Sequence, residues 1–187
     1  GLTVENSTLE ENFYGDMIIS SYADRDCEHT FSNVDVSGPY PLGFFNSQSA
    51  IADQNYSLII LCNADHSTVD NVTVSGSLTE QNNFLHLPRS TNVTLKNVNS
   101  SGNYDGLATG TYTSFLKIKD SVFNDNSNVG LNIGYTDQGV FSNITMVGNN
   151  IGLQLDRTAR NNTIANSTIH NSTTYGLYID EWGGEYP

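Results

Sequence analysis

Three stretches decide the fold: Ile118-Lys119-Asp120-Ser121-Val122-Phe123, Phe141-Ser142-Asn143-Ile144-Thr145-Met146 and Ile164-Ala165-Asn166-Ser167-Thr168-Ile169. Each runs apolar, variable, Asn or Asp, small or apolar, variable, apolar. Their first positions, 118, 141 and 164, lie 23 residues apart. Upstream the same phrase starts at Val4, Phe31, Val69 and Leu95, so the intervals along the chain are 27, 38, 26, 23, 23 and 23. Equal spacing in succession marks an internal repeat, and a repeat of this length points to a stacked solenoid.

A second phrase runs in phase with the first. It reads Gly130-Leu131-Asn132-Ile133, Gly152-Leu153-Gln154-Leu155 and Gly176-Leu177-Tyr178-Ile179, preceded by Gly106-Leu107. Phe84-Leu85-His86-Leu87 and Ser57-Leu58-Ile59-Ile60 hold its place further upstream. Short alternating segments bounded by Gly, Asn or Asp predict strands, and no stretch keeps a helical apolar period. A unit this small cannot bury its apolar face alone, but coils stacked roughly 4.8 Å apart can. The expectation is an all-β, single-stranded parallel β-helix, one domain over residues 1–187. About seven coils would make a rod on the order of 34 Å long.

The third position of the first phrase is Asn6, Asn33, Asn71, Asn97, Asp120, Asn143 and Asn166. Asn tolerates left-handed backbone at a bend, and its amide both donates and accepts, so stacked copies are expected to form an Asn ladder. The chain has 24 Asn, but frequency alone does not put one at the same phase of every repeat. The phrases Ile164-Ala165-Asn166-Ser167-Thr168-Ile169-His170-Asn171 and Tyr175-Gly176-Leu177-Tyr178-Ile179 resemble the repeat of pectate-lyase-like and NosD-like β-helix proteins. Similar Asn/Thr-rich repeats characterise archaeal surface-layer and sheath-type proteins. The resemblance covers nearly the whole chain. It implies a right-handed coil and, being a resemblance of repeat, no particular activity.

Composition narrows the function. Only 14% of residues are charged, and seven Lys and Arg against 20 Asp and Glu give a net charge of -13. That balance excludes nucleic acid and argues against anionic membrane surfaces as partners. The longest apolar run, Leu58-Ile59-Ile60-Leu61-Cys62, has strand length, so no membrane insertion is expected. Cys27 and Cys62 permit one disulfide, within a chain or between chains, and lack zinc or redox spacing. Nine Asn-X-Ser/Thr sequons, and a start at Gly1 such as signal removal or cloning would leave, fit an extracellular or cell-surface location. Asn55, Asn92, Asn99, Asn161 and Asn171 are the candidate glycosylation sites. Asn6, Asn71, Asn143 and Asn166 also head sequons but are expected to be blocked by the ladder.

The repeat falters in two places. The interval of 38 implies an irregular insertion at 38–56, whose Pro39, Pro41, Gly38 and Gly43 argue against strand. Its apolar Tyr40, Leu42, Phe44 and Phe45 suit either a lid folded on the rod or a contact with another subunit. Asp24-Arg25-Asp26-Cys27-Glu28 is a polar insertion. Its carboxylates could take a divalent cation such as calcium, but match no calcium-loop pattern and read better as solvated.

Polysaccharide chemistry on a β-helix needs paired carboxylates, or carboxylates with a base, on adjacent coils. The outward second position gives Glu5, Ser32, Asp70, Lys96, Lys119, Ser142 and Ala165, with one expected ion pair, Asp70 to Lys96. His29, His66, His86 and His170 share no phase. Polygalacturonase-like Asn-Thr-Asp and Gly-His-Gly motifs are absent, as are nucleophile and phosphate-loop patterns. No catalytic residue, metal ligand or cofactor is expected. The reading is a structural protein that polymerises with itself into a surface layer, sheath or fibre. The alternative is an adhesive module for cell-wall or surface glycans, with Tyr112, Tyr135, Tyr175 and Tyr178 near coil edges; a polysaccharide lyase or hydrolase ranks third. Candidate assembly contacts are Val4, Leu9, Tyr40, Phe44, Phe45, Leu177 and Ile179. A second copy placed after Pro187 would bring its Val4 27 positions beyond Ile164, which predicts head-to-tail stacking with residues 3–9 beside 175–181.

Overall fold

The computed structural model describes residues 1–156 and 158–180. Apart from a 3-10 turn at Asp24–Cys27, their regular structure is all strand. Strands β1 (Thr3–Leu9) and β2 (Thr30–Val36) form a parallel ribbon of their own. One long sheet contains β3 (Leu42–Phe45), β6 (Leu58–Leu61), β9 (Leu85–Leu87), β12 (Leu107–Thr109), β14 (Val129–Ile133), β16 (Ile151–Leu155) and β19 (Tyr175–Ile179). The facing sheet contains β4 (Ala50–Ala52), β5 (Asn55–Tyr56), β7 (Thr68–Asp70), β8 (Thr73–Val74), β10 (Thr94–Lys96), β11 (Asn99–Ser100), β13 (Lys117–Val122), β15 (Val140–Val147), β17 (Thr163–Ala165) and β18 (Thr168–His170). Every pairing is parallel and joins equivalent positions one coil apart. Leu95 pairs Ile118, Ile118 pairs Phe141 and Phe141 pairs Ile164; across the core Leu107, Leu131, Leu153 and Leu177 align in the same way. The chain is a parallel β-helix with its core between the two sheets.

The corners explain the Asn phase. All seven phrase residues from Asn6 to Asn166 have φ between 49° and 55°, the left-handed region that Asn and Asp enter most readily among non-glycines. Their side chains lie on the outside of the bend, where Asn33 Nδ2 donates to Asn6 Oδ1 (2.9 Å) and Asn143 Nδ2 to Asp120 Oδ1 (2.9 Å). Asn97 bonds Asp70 instead of Asn71, so the ladder is interrupted. A second, buried Asn ladder, with no counterpart in the phrase reading, holds the opposite corner. Asn103 and Asn126 are 23 residues apart, as are Asn126 and Asn149. The N–H of Asn103 donates to Asn126 Oδ1 (3.0 Å) and that of Asn126 to Asn149 Oδ1 (2.9 Å). Their amides donate in turn to the carbonyls of Val74, Ser100 and Phe123.

Two expectations about the N-terminal third are corrected. Residues 38–56 are not an excursion but the first turn of the coil, since β3 pairs β6, β4 pairs β7 and β5 pairs β8. Ile51-Ala52-Asp53-Gln54-Asn55-Tyr56 is itself the phrase, with Asp53 at φ 54° and Asn71 Nδ2 donating to its carboxylate (2.6 Å). The coil is short (69 − 51 = 18 residues), which hid it. Pro39 and Pro41 precede the strand, and Gly43 lies within it because the Tyr56 ring occupies the space of a Cβ. Conversely, the phrases at Val4 and Phe31 do not continue the stack. On β6, Ile59 and Leu61 face the core while Leu58 and Ile60 face outward, and Phe31 and Val36 of the ribbon join that outer cluster. Phe31 meets Phe44 edge-on at 4.8 Å.

The Gly106, Gly130, Gly152 and Gly176 column is set by coil spacing. A Cβ on Gly130 would lie 2.6 Å from the carbonyl oxygen of Gly152, whereas one on Gly176 meets nothing closer than Ile169 Cγ2 at 3.6 Å. Gly130→Ala is therefore expected to lower the unfolding free energy by about 1–3 kcal/mol, and Gly176→Ala to stay within about 0.5 kcal/mol of the parent. Denaturant melts of the two variants compare them directly. Beside the buried corner, Asp105 Oδ1 accepts from Asn128 Nδ2 (2.8 Å) and the Val129 N–H (3.0 Å). Burial outweighs these bonds and pushes its carboxyl up to about 6 from 3.8. A raised carboxyl stabilises fully below 3.8, and that share is lost as pH rises through about 6. Asp105→Asn is expected to gain on the parent by up to about 3 kcal/mol between pH 4 and pH 7.5. Equal pH profiles for the two would refute this role for Asp105.

Candidate functional site

Four departures from the bare coil are candidates for function: a strap, a cleft, the corner tyrosines and the last coil. Residues 10–28 form the strap, which crosses the outer face of β6, β9 and β12. Strands in a solenoid normally present polar side chains outward, but here Leu58, Ile60 and Cys62 do so and need cover. Ile19 and Cys27 supply it. The Cys27–Cys62 disulfide, with Cα atoms 5.4 Å apart, ties the strap down within one chain. Asp16 fastens its other end by accepting from Asn83 Nδ2 (2.9 Å) and Asn82 Nδ2 (3.1 Å). Midway, the His86 ring lies between the carbonyls of Ile19 (3.1 Å) and Ala108 (3.2 Å). Burial pushes its pKa down, against the pull of both carbonyls. Of the two alternatives given for 38–56, a lid or a subunit contact, the lid is formed instead by 10–28.

The polar segment inside this strap is not arranged for a cation. Asp24 pairs with Arg89, whose Nη1 also donates to the Tyr22 carbonyl (3.0 Å). Asp26 accepts the N–H groups of Tyr22 (2.9 Å) and Ala23 (2.8 Å), which hold its pKa below the usual value. Among the described residues, no three His, Cys, Asp or Glu converge on a point that would hold a metal ion. Asp70 and Lys96 form the surface ion pair at 3.6 Å.

A cleft of about 580 Å³ separates the β1–β2 ribbon from β3 and the 38–41 segment. Phe31, Tyr40 and Phe44 give it flat apolar walls, and Glu10, Asn33 and Asp35 add acceptors and a donor. Of the proposed assembly contacts, Tyr40 and Phe44 line this cleft, while Phe45 turns inward against Tyr56. Val4 and Leu9 are on β1, whose outer edge has no partner strand among the described residues. The four tyrosines are not gathered. Tyr112 and Tyr135 share a corner with positive φ, Arg89 stacking on Tyr112, whereas Tyr175 and Tyr178 stack on the last coil at 5.4 Å.

That last coil differs from those before it. Phe141 and Leu153 are 0% and 1% exposed, yet their successors Ile164 and Leu177 are 37% and 51% exposed, and Ile179 is 56%. The opposite end is closed: Ile51 and Tyr56 are buried with Phe45 packed on them. Residue 181 and Pro187, used in the head-to-tail count, lie outside the described residues. The sequons also need correcting. The ladder Asn6, Asn71, Asn143 and Asn166 are solvent-exposed, because an αL corner turns its side chain outward. Among the other candidates, Asn55, Asn99, Asn161 and Asn171 are exposed; Asn161 Nδ2 donates to Asp137 (3.2 Å), as Asn71 Nδ2 does to Asp53 and Asn143 Nδ2 to Asp120, and half-buried Asn92 is tied through Nδ2 to His66 (2.8 Å).

No curated protein and no solved structure matches the chain. A family model does: the right-handed β-helix region matches residues 57–185. With more than half of its length matched, and with the coil stack that the repeat predicts, this chain belongs to the right-handed β-helix family.

Proposed function

We propose that this chain is an extracellular, non-catalytic structural protein that associates with copies of itself into a surface layer, sheath or fibre. The observation carrying this reading is the last described coil: among the described residues its core columns are about half exposed, while those one coil earlier are sealed. A parallel edge with apolar residues beside it is a template for another strand. The way the carboxylates are used supports the same reading. Asp16, Asp26, Asp53, Asp105 and Asp120 each accept hydrogen bonds that hold the scaffold. A disulfide and exposed sequon asparagines suit an oxidising exterior. Sedimentation velocity over a concentration series, with electron microscopy of the same samples, tests it. The parent chain is expected to associate, and Ile164→Asp to stay monomeric with an unchanged circular dichroism spectrum. A parent that is monomeric throughout the series would overturn the proposal.

One observation favours a second reading, an adhesive glycan-binding module: the cleft pairs flat rings with hydrogen-bonding groups. Sugar rings stack on aromatic faces while their hydroxyls seek such partners. On a glycan array Tyr40→Ala is then expected to lose at least about tenfold in signal. Equal binding by parent and variant would remove the cleft from consideration.

A further inference from the structure

We infer that the β1 edge of one copy pairs in a fixed register with the β17–β18 edge of another; this rests on the self-association proposed above. The two edges are nearly the same sequence. β1 reads Thr3-Val4-Glu5-Asn6-Ser7-Thr8-Leu9, and residues 163–169 read Thr163-Ile164-Ala165-Asn166-Ser167-Thr168-Ile169. Thr, Asn, Ser and Thr are identical, and both apolar positions are aliphatic. By contrast β2, which pairs β1 inside the chain, reads Thr30-Phe31-Ser32-Asn33-Val34-Asp35-Val36. The last coil therefore meets in β1 a strand more like itself than β1's own partner is.

Hydrogen-bond polarity fixes the order. Where the outer ladder joins phrase residues of successive coils, the later side chain donates to the earlier one: Asn33 to Asn6 and Asn143 to Asp120. Likewise a serine at the fourth position accepts the N–H of the fourth residue one coil earlier, as Ser121 does from Val98 (3.0 Å) and Ser167 from Ile144 (3.2 Å). That serine also donates to the carbonyl two residues before it, as Ser121 does to Lys119 and Ser167 to Ala165. Ser7 already makes this local bond to Glu5 (2.8 Å). Set after the last coil of a preceding copy, Asn6 donates to Asn166 and Ser7 accepts from the Ser167 N–H. Val4 covers Ile164 and Leu9 covers Ile169. Glu5 stands over Ala165, so no like charge opposes it.

In the same last coil Gly176 meets no carbonyl among the described residues, unlike Gly106, Gly130 and Gly152. Because the ribbon sits on the outer face of β3 and β6, successive copies are offset sideways and not threaded on one axis. The contact is heterologous, so it propagates as a fibre or closes as a ring. It replaces the pairing of 3–9 with 175–181: β1 matches the phrase of β17–β18, whereas Tyr175–Ile179 belongs to the facing sheet.

A paired-cysteine cross-link tests the register in the 187-residue chain. Thr8 and Thr168 occupy the same outward position, as the pairing of Thr168 with Thr145 and of Thr8 with Asp35 indicates. Thr8→Cys/Thr168→Cys is expected to give a ladder of covalent oligomers under mild oxidation, whereas either single variant and Thr8→Cys/Tyr178→Cys give no ladder. Val4→Lys, read by sedimentation in the otherwise parental chain, is expected to weaken association at least about tenfold. Association that persists without the cross-link, and is indifferent to Val4→Lys, overturns this register while leaving self-association standing. A parent that never associates, or a cysteine pair that closes within one chain, overturns the contact outright.

Discussion

Everything in this molecule depends on one constraint: each coil satisfies its backbone hydrogen bonds and buries its apolar side chains only against the coils on either side. Parallel in-register pairing sets a spacing of roughly 4.8 Å, and that spacing decides which side chains are allowed. Gly130 has carbonyl oxygen where a Cβ would go. Asn126 fits because its amide spans one coil step, accepting from its own ladder neighbour while donating to a carbonyl of the coil before. A bend compact enough to keep the step needs positive φ, which accounts for the Asn and Asp at the outer corners.

The same constraint makes ends and faces the places where function enters. A solenoid interior is periodic, so its side chains repeat the same structural task. At the N-terminal end the core is closed by Phe45 and Tyr56, and an outward apolar patch on β6 is covered by the disulfide-tied strap. In the last described coil Ile164, Leu177 and Ile179 of the apolar columns are exposed among the described residues. Among the described residues the stack is sealed at one end and exposed at the other, which gives it a direction. The β1–β2 ribbon, held to one side, adds a free parallel edge of the right pattern. The proposed self-association rests on these features, and the ligand-binding alternative rests on the cleft beside the ribbon.

What the sequence determined by itself was everything periodic. Three intervals of 23 residues placed the strands, the facing sheets and the left-handed corners, because stacking forces like residues onto like positions. The buried Asn103, Asn126 and Asn149 ladder carried the same interval and was legible too. It passed unnoticed because those asparagines lie between the two apolar phrases. The short coil at 51–56 escaped for a related reason: its own period, 18, differs from 23, although Asp53 held the ladder position.

Only the tertiary structure decided where the non-repeating segments go. Val4 and Phe31 follow the phrase as well as any coil does, yet their strands leave the stack and pack on an outer face. The outward apolar surface of Leu58 and Ile60 exists only once β6 has folded, and it draws in both the ribbon and the strap. Residues 10–28 show no pattern of their own that predicts a strap. Their positions are fixed by Cys62, His86 and Arg89, partners 35 to 67 residues distant in the chain. A local repeat is written in spacing, whereas a covering segment is defined by a surface that spacing does not describe.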